Sequence, residues 1–381
     1  MIRTGDILLR DFKLVESFPG LNIKKEGIVL TGNDKSLFFI DKEGRILYVF
    51  LENKGYRIGL SGEIIEKKRK NGEKLINRFK SLRFLKEIYK RAENTLEDEF
   101  FKENKSFLKD FLKRGYKNFK RTIKSFKEVY GKVPIVPPDM YLSLYIQVTR
   151  GCSYNKCTFC NFYKGEKFRV LSKEELILHI NKVKKFFGEG IKTRKNIFLG
   201  DADALLLTED RIFEYFKLIK NSFKEENLSK ISSFLDVWTG RKKNLNFWQT
   251  LKELSLFRVY IGLESGSENL LKRLNKPFNP EEFIFLVENL KKIGISVGVI
   301  ILLGIAGDLE EEHKSKTYDL LKNLSLDKSD ILYLSPYYPF KGLYPEEANY
   351  EEIKREIDFF KLLFSEKKIR VSVYDIREFV Y

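Results

Sequence analysis

Residues 257–267 read FRVYIGLESGS, a β-branched and aromatic run that ends in glycine and polar side chains. Similar apolar runs recur after residue 138, and a helical pattern follows each of them. The runs lie at 142–148, 196–199, 232–237, 257–263, 296–303 and 331–334, and the helical stretches lie at 173–187, 209–223, 245–254, 281–293, 310–324 and 350–364. Six such βα units predict a parallel sheet that curls into a barrel, with functional side chains at the carboxyl ends of its strands.

The chain before residue 138 has another pattern. Short β-type runs separated by turn signals predict a small antiparallel meander up to residue 66. From Gly72 to about Tyr130, apolar residues that include Leu75 and Phe79 recur at helical spacing. Prolines at 134, 137 and 138 then forbid a continued helix.

The fold class that follows is α/β. We expect a partial (βα)6 TIM-type barrel preceded by a small antiparallel β meander and a helical segment. The predicted domains are residues 1–66 (a small β-rich domain), 67–138 (a basic helical segment and linker) and 139–381 (the barrel with a C-terminal extension).

The net charge of +17 in 381 residues comes mainly from the front of the chain. Residues 1–140 contain 32 Lys and Arg against 20 Asp and Glu, a net of +12, which leaves +5 for the rest. This distribution indicates either an anionic partner such as RNA or a lysine-rich solvated surface, and charge alone does not separate the two. The cluster Lys67, Lys68, Arg69 and Lys70 is the candidate RNA contact.

The sequence also predicts a location. No uncharged apolar run approaches the roughly 18 residues of a membrane span. Arg3, Asp6 and Arg10 interrupt any signal-peptide core. We therefore expect a cytoplasmic protein without a membrane partner.

The three cysteines of the chain, Cys152, Cys157 and Cys160, lie within nine residues in the spacing C-x4-C-x2-C. They directly follow the first strand of the βα series, and we expect them to bind metal. A closed zinc site needs four ligands, but His179 lies inside a helical stretch and His313 follows three glutamates and is expected to be solvated. Three thiolates favour a [4Fe-4S] cluster with one open iron.

With this motif, residues Tyr141 to Tyr333 resemble the radical S-adenosylmethionine enzymes. The usual cluster motif of that superfamily is C-x3-C-x2-C with an aromatic residue before the last cysteine. Phe159 fills the aromatic place, beside the adenine of the cofactor, while one extra residue separates Cys152 from Cys157. The stretch YIGLESGS followed by ENLLKRLNK is similar to a signature of the porphyrin-oxidising and tRNA-modifying branches.

The resemblance implies further cofactor contacts at the strand ends. Gly200 and Asp201 take the places that hold the methionine amine, and Asp236 is a candidate contact to the ribose or the methionine. Glu264 would hydrogen-bond the cofactor, and Lys276, where relatives often have arginine, would approach its carboxylate. Leu302 belongs to the apolar stretch that matches the adenine wall.

The resemblance also implies the reaction. A reduced cluster passes one electron to S-adenosylmethionine, and the resulting 5'-deoxyadenosyl radical abstracts hydrogen from a substrate. The electron would come from a low-potential donor, a ferredoxin or a flavodoxin. The sequence supplies no cysteines for a second cluster and no Asp-x-His-x-x-Gly cobalamin signature. It identifies no acid, base or nucleophile as catalytic.

Two substrate classes remain open. One is a small metabolite in the barrel mouth, covered by the aromatic stretch 333–344, and the other is RNA. A third hypothesis, a non-catalytic nucleic-acid-binding protein with a structural cysteine metal site, also stays open at the level of sequence. A pure electron carrier is disfavoured, because six βα units are more scaffold than one cluster needs.

Overall fold

The computed structural model describes residues 14–18, 20–70, 73–226, 228–339, 347–365 and 369–381. The chain divides into two compact units. The first consists of 1–144, 178–195 and 377–381, and the second of 145–177 and 196–376. The predicted domain boundaries at 66 and 138 remain predictions. Among the helices of the described residues, none is long and apolar enough to cross a membrane.

The first unit contains an antiparallel sheet in which each strand pairs with the next one in the chain. Its strands are β1 (Leu14–Phe18), β2 (Leu21–Lys24), β3 (Gly27–Thr31), β4 (Leu37–Asp41), β5 (Ile46–Leu51), β6 (Lys54–Ile58), β7 (Glu63–Lys70) and β8 (Glu73–Lys80). Two helices follow, α1 (Leu82–Thr95) and α2 (Lys105–Tyr130). The meander and the helical segment of the prediction are thus both present.

The helical prediction was wrong for residues 73–80, which form β8. This strand pairs with β7 over its whole length, with Ile64 opposite Phe79 and Lys68 opposite Leu75. The sequence Asn-Gly at 71–72, which lies outside the described residues, is a strong hairpin signal. Apolar residues at 75, 76 and 79 fit a helix and a strand about equally well, so pairing with β7 decides the outcome.

The second unit is built on a seven-stranded sheet in the order β17-β16-β15-β14-β13-β12-β9, and its pairs from β12 to β17 are parallel. The strands are β9 (Leu144–Gln147), β12 (Ile197–Gly200), β13 (Ile231–Phe234), β14 (Leu256–Glu264), β15 (Ser296–Leu303), β16 (Ile331–Pro336) and β17 (Arg370–Val373). A separate two-stranded ribbon consists of β10 (Thr149–Arg150) and β11 (Arg169–Val170).

Helices follow the strands at the predicted places. They are α3 (Lys173–Phe187), which spans both units, α4 (Glu209–Ser222), α5 (Val237–Gly240), α6 (Leu245–Glu253), α7 (Glu268–Arg273), α8 (Pro280–Ile293), α9 (Glu310–Lys322) and α10 (Tyr350–Leu363). The sequence did not predict β17. The α/β class, the parallel sheet and the N-terminal meander are confirmed, and the open order of the sheet, with β9 and β17 at its edges within the described residues, is consistent with a partial barrel.

The central strand β14 shows why this sheet forms. Its residues Val259, Tyr260, Ile261 and Leu263 are all fully buried. A run that is apolar on both faces suits a parallel strand that is covered on both sides. Glu264 ends the strand at a register shift and has a φ of 61°. The strand therefore delivers a carboxylate to the carboxyl edge of the sheet.

Candidate cofactor site

The cysteine loop, residues 151–168, connects the two strands of the β10–β11 ribbon. Thr149 pairs with Val170 and Arg150 with Arg169, so the loop leaves and returns at one place. Because β10 directly follows β9, this place lies at the carboxyl edge of the parallel sheet. The three cysteines therefore lie where the βα pattern predicts functional residues.

Asp201, at the end of β12, fixes the start of this loop. Its Oδ2 accepts a hydrogen bond from the Gly151 backbone N–H at 2.9 Å. Its Oδ1 accepts bonds from the Tyr145 hydroxyl at 2.7 Å and from Gln147 Nε2 at 3.1 Å. The Asp201 backbone N–H in turn donates to Thr149 Oγ1 at 2.9 Å. Burial raises the pKa of Asp201, and its hydrogen-bond donors lower it.

Gly200 precedes this aspartate and lies against Tyr145. A Cβ at position 200 would overlap the Tyr145 hydroxyl, the same group that donates to Asp201. Glycine is therefore required here by close approach. In the structure Gly200 and Asp201 hold the cysteine loop, and their predicted contact with a methionine amine remains a prediction.

The middle of the cysteine loop is tied to the segment that follows α7. The Thr158 backbone N–H donates to the Leu274 carbonyl at 3.2 Å. The Tyr154 hydroxyl donates to the Asn275 carbonyl at 2.8 Å, and Asn275 Nδ2 donates to the Lys156 carbonyl at 3.0 Å. Tyr154 and Lys156 lie in the interval between Cys152 and Cys157, which is one residue longer than the usual motif. Two of the contacts named here thus come from the longer interval.

The three thiols share a desolvated environment. Burial raises the pKa of Cys152, raises that of Cys157 to about 12 and raises that of Cys160 to about 11. Electrostatic interactions link Cys157 to Cys160 and Cys160 to Cys152. The Asn155 backbone N–H donates to Cys152 Sγ at 3.3 Å. Three thiols that are costly to ionise without a cation suit a metal centre, which stabilises the thiolate form.

The described part of the chain contains no group of three or more His, Cys, Asp or Glu side chains already arranged to hold a metal ion. The sulfurs are therefore gathered in one loop without a preformed metal geometry. The donor set, three thiols with no histidine among them, still fits the iron of an iron–sulfur cluster. Neither histidine of the chain joins this loop, since His313 is fully buried in α9 and His179 is buried in α3.

Lys276 and Glu264 form a buried ion pair next to the cysteines. Lys276 Nζ lies 3.2 Å from Glu264 Oε1, and the two side chains are only 6% and 9% exposed. Burial lowers the pKa of Lys276, but Glu264, Cys157 and Asp236 together raise it above its usual value. Burial raises the pKa of Glu264, and Lys276 opposes that shift. Glu264, Lys276, Asp236 and the cysteines therefore belong to one electrostatic site.

Asp203 is a further member of this site. It is fully buried, and Thr239 Oγ1 donates to its Oδ2 at 2.5 Å. Its Oδ1 has no hydrogen-bond partner among the described residues. Burial and the charge of Asp236 both raise the pKa of Asp203 well above its usual value, and burial also raises the pKa of Asp236. Sequence reasoning missed Asp203, although it stands only two residues after Asp201. The match of Gly200 to a family position drew attention to the first of the two acids.

Phe159 and Leu302 meet in an apolar cluster. Phe159 packs, partly exposed, against a group of buried side chains that are Leu270, Leu274, Leu302, Ile305, Ala306 and Tyr337. The sequence assigned Phe159 and Leu302 separately to the adenine, and the structure brings both to the same apolar surface. Their contact with adenine remains a prediction. The predicted lid of the barrel mouth is the stretch 333–344, and its last part, residues 340–344, lies outside the described residues.

A buried polar network supports the strand ends on this side. His313 Nδ1 lies 2.8 Å from Oγ of Ser265, the residue that directly follows Glu264. His313 Nε2 lies 3.4 Å from Glu356 Oε1. Glu356 Oε2 accepts from the Gly304 N–H at 2.7 Å. Glu352 Oε1 accepts from the Ala306 N–H at 2.8 Å. The expectation that His313 is solvated was wrong, because α9 turns this side chain inward and leaves Glu311 exposed.

Burial shifts the pKa of both groups at the central contact of this network, His313 and Glu356. Burial lowers the pKa of His313 to about 4 and raises that of Glu356 to about 8. His313 Nε2 and Glu356 Oε1 face each other at 3.4 Å, and neither atom has a hydrogen-bond partner among the described residues. Sequence reasoning could not find this network, because its members come from three separate elements.

Comparison with known proteins agrees with this site. Residues 146–316 match the family model of the Radical SAM superfamily. The heme chaperone HemW of Buchnera aphidicola subsp. Schizaphis graminum is 26% identical over 249 residues, which are 63% of this chain and 63% of that protein. The tRNA-2-methylthio-N(6)-dimethylallyladenosine synthase of Ehrlichia canis is 25% identical over 280 residues, which are 69% of this chain and 59% of that protein.

Among solved structures, coproporphyrinogen III oxidase (HemN) from Escherichia coli matches with a TM-score of 0.46 and 15% identity, over 64% of this chain and 56% of that one. The chain spans less than two thirds of the length of each of these three proteins. The family match and the cysteine motif define an Fe–S enzyme. Residues 146–316 form a radical SAM domain, and the radical SAM superfamily uses a [4Fe-4S] cluster and S-adenosylmethionine.

Proposed function

We propose that this enzyme reductively cleaves S-adenosylmethionine and uses the 5'-deoxyadenosyl radical to abstract hydrogen from a substrate. Cys152, Cys157 and Cys160 would hold the cluster. When bound, the cluster supplies one electron to the sulfonium, the C5'–S bond breaks, and methionine and the radical result. The electron would come from a ferredoxin or a flavodoxin. A cytoplasmic location suits this chemistry, because free thiols persist in a reducing compartment.

The charges of the site support this proposal. Asp203 and Glu264 are buried, and Asp236 is half-buried. Electrostatic interactions join Lys276 to Glu264 and Asp236, and Asp236 to Asp203. S-adenosylmethionine carries an ammonium, a sulfonium and one carboxylate, so it adds a net positive charge where acids outnumber bases. We assign its carboxylate to Lys276 and its ammonium to Asp203 and Asp236, because each pairing replaces water lost on burial.

The apolar surface at Phe159 supports the position of the adenine. Phe159 lies one residue before Cys160, so a ring stacked on it stays close to the cysteine loop. Leu302 offers a second apolar contact at the end of β15. In such a site the residues of this chain would bind and orient the cofactor and keep water away from its reactive carbon.

The observation that carries the proposal is the grouping of three thiols with Glu264, Lys276 and Asp236. The test is anaerobic reconstitution of wild type and Cys160→Ala, with iron and sulfide analysis and measurement of 5'-deoxyadenosine after reduction by dithionite. We expect a brown wild-type protein that forms 5'-deoxyadenosine, and a variant that does neither. The control is Lys156→Ala, which alters an exposed side chain of the same loop and keeps all three sulfurs.

A colourless wild-type protein that holds one zinc ion would overturn the proposal. So would a Cys160→Ala variant that still cleaves the cofactor. A second measurement separates the cluster from the cofactor. Glu264→Ala is expected to keep its iron and sulfide and to lose at least tenfold in S-adenosylmethionine affinity, about 1.4 kcal/mol, as measured by anaerobic titration.

The substrate belongs to one of two classes, a small metabolite or RNA. Deuterium transfer into 5'-deoxyadenosine from a labelled substrate pool identifies the class. Label that arrives from the metabolite fraction of a cell extract and not from its RNA fraction points to a metabolite, and the reverse points to RNA.

A further inference from the structure

Helix α2 in the first unit carries a row of lysines along one face. Lys113, Lys117, Lys120, Lys124 and Lys127 follow one another at steps of four, three, four and three residues. Such steps keep side chains on one side of an α-helix. All five residues are exposed. At ~1.5 Å per residue the row is about 21 Å long. We call it the lysine row.

Helix α2 as a whole has nine Lys and Arg against two Asp and Glu, which are Asp110 and Glu128. Residues 111–127 contain seven Lys and Arg and no Asp or Glu. By contrast α10 carries three Lys and Arg and four Asp and Glu, and α9 has the same numbers. A lysine-rich composition therefore does not by itself explain α2. Lys120 contacts the ring of Tyr116 at 4.9 Å, and no ion pair joins any of the five lysines to an acid in the described residues.

The opposite face of α2 is held firmly. Leu108, Leu112, Phe119 and Phe126 are buried, and Phe126 packs against the ring of Tyr130 at 5.5 Å. A helix fixed by its apolar face presents the lysines in a constant geometry. A ligand therefore does not need to order the backbone that carries them.

The row ends at a basic cavity of about 300 Å³ in the same unit. Lys127 belongs to both, and the cavity is also lined by Arg78 and Lys80 of β8 and by Lys132. Arg78 pairs with Glu63 at 3.0 Å, which is the acid that lines the cavity. Phe126, Phe379 and Tyr381 supply aromatic walls. A cavity that combines cations with aromatic rings can take a phosphate together with a base.

The basic cluster suggested by the sequence is a weaker candidate. Lys67 Nζ lies 2.6 Å from Glu378 Oε2, and only 15% of its side chain is exposed. This lysine is therefore paired within the protein. Lys68 is exposed, while the side chains of Arg69 and Lys70 lie outside what the structure describes. The structure thus moves the anion-binding candidate from β7 to α2.

We infer that the lysine row and its cavity bind RNA, with phosphates along the row and a nucleotide in the cavity. A linear set of cations about 21 Å long matches a linear polyanion better than a single small anion. A membrane surface would also attract lysines, but an interfacial helix needs an exposed apolar face, and the row is flanked by Arg114 and Arg121. The inference deepens the proposed function by favouring RNA as the substrate class.

The test measures RNA binding by the full-length reconstituted protein. Fluorescence anisotropy with a labelled 20-nucleotide single strand and a labelled RNA hairpin is recorded at several KCl concentrations. The variant Lys113→Glu/Lys117→Glu/Lys124→Glu is compared with Lys217→Glu/Lys220→Glu/Lys224→Glu, which reverses three exposed lysines on and after α4 of the second unit. We expect the α2 variant to lose at least tenfold in affinity and its log–log salt slope to fall by about two. The α4 variant should match wild type.

Equal RNA affinity and equal salt slopes for wild type and both variants would overturn the inference. So would wild-type protein that binds phosphatidylserine vesicles and not RNA. Circular dichroism melts confirm that each variant is folded. Cleavage of S-adenosylmethionine by dithionite-reduced protein is measured in parallel. Loss of RNA binding with intact cleavage leaves the radical chemistry standing, whereas loss of cleavage in wild type counts against the proposed function alone.

Discussion

Two sides of the cofactor site are held by buried carboxyl groups, but in different ways. On the cysteine side Asp201 comes from the end of a neighbouring strand and accepts bonds from Tyr145, Gln147 and the Gly151 N–H. On the opposite side Glu352 and Glu356 come from α10, about 50 residues after the loop whose N–H groups they bind. The cysteine side is thus supported from within the sheet. The opposite side depends on α10, the helix that follows the sixth strand.

The two sides also differ in the environment that shifts the pKa of the buried acid. Asp201 has three donors that lower its pKa against the effect of burial. Glu356 has one backbone donor, and burial raises its pKa to about 8. Burial raises the pKa of both acids, and the acid on the cysteine side has more hydrogen-bond donors than the acid on the α10 side. The two sides should therefore respond differently to substitution and to pH.

The largest effect is expected from Asp201→Ala. The substitution leaves two buried donors and the Gly151 N–H without an acceptor, which costs about 3 kcal/mol or more of unfolding free energy. Because Gly151 begins the cysteine loop, iron retention should fall as well. Urea unfolding and iron analysis after reconstitution measure the two effects. Glu225→Ala, at an exposed position, is the control, and a fully loaded, equally stable Asp201→Ala would refute the anchoring role.

A smaller effect is expected from Glu352→Ala. It removes the acceptor of the Ala306 N–H, at a cost of about 1–3 kcal/mol. The iron content should stay unchanged, because this loop lies on the other side of the site. S-adenosylmethionine affinity should fall, since Ala306 belongs to the apolar cluster with Leu302. Anaerobic titration against Glu351→Ala, an exposed neighbour, measures this, and loss of iron in Glu352→Ala would erase the distinction between the two sides.

Glu356 predicts a pH dependence of stability. With a folded pKa of about 8, the folded protein keeps a proton that the unfolded chain has released, so stability is present below the ordinary glutamate pKa and is lost as pH rises toward 8. His313, with a folded pKa of about 4, acts in the opposite direction below its ordinary value near 6.5. The effects of the two groups on stability oppose each other up to about pH 6.5. Above this pH only Glu356 changes the stability.

We therefore expect the Tm of the wild type to fall between pH 6.5 and 8.5, and that of Glu356→Gln to fall less. Differential scanning fluorimetry across this range makes the comparison. Asp358→Asn, exposed on the same helix, should follow the wild type. Parallel curves for wild type and Glu356→Gln would show that Glu356 is not held as a protonated acid.

The smallest stability effect is expected on α2. The five lysines of the lysine row are exposed and make no ion pair with an acid in the described residues, so reversal of Lys113, Lys117 and Lys124 should change Tm by about 2 °C or less. A thermal melt at pH 7 checks this. A drop comparable with that of Glu352→Ala would mean that the lysine row has a structural role.

Much of the second unit could be predicted from the sequence. The runs at 257–263 and 296–303 lie within β14 and β15, and the stretch 173–187 coincides with α3. These elements are long and strongly patterned, and the burial of their apolar faces decides them locally. The strand β8 could not be predicted in the same way, because its apolar residues also fit a helix and only its pairing with β7 separates the two outcomes.

The candidate site was predictable where one short motif carries it. The cysteines, Phe159 and Glu264 lie in short sequence motifs, and the structure puts Glu264 and the cysteines in one electrostatic site. The buried state of His313 was not predictable, since three preceding glutamates suggest solvent. Its environment depends on Glu356, which is 43 residues away in the chain and meets it only after α9 and α10 have folded onto the sheet.

The segment after α7 has a consequence for how the two cofactors affect each other. Leu274 and Asn275 hold the cysteine loop, and the next residue, Lys276, is the amine assigned to S-adenosylmethionine. One short stretch of backbone thus joins both ligands, so their binding equilibria are linked. Thermodynamic reciprocity then requires that the factor by which a loaded cluster strengthens cofactor binding is also the factor by which the cofactor protects the cluster from chelators.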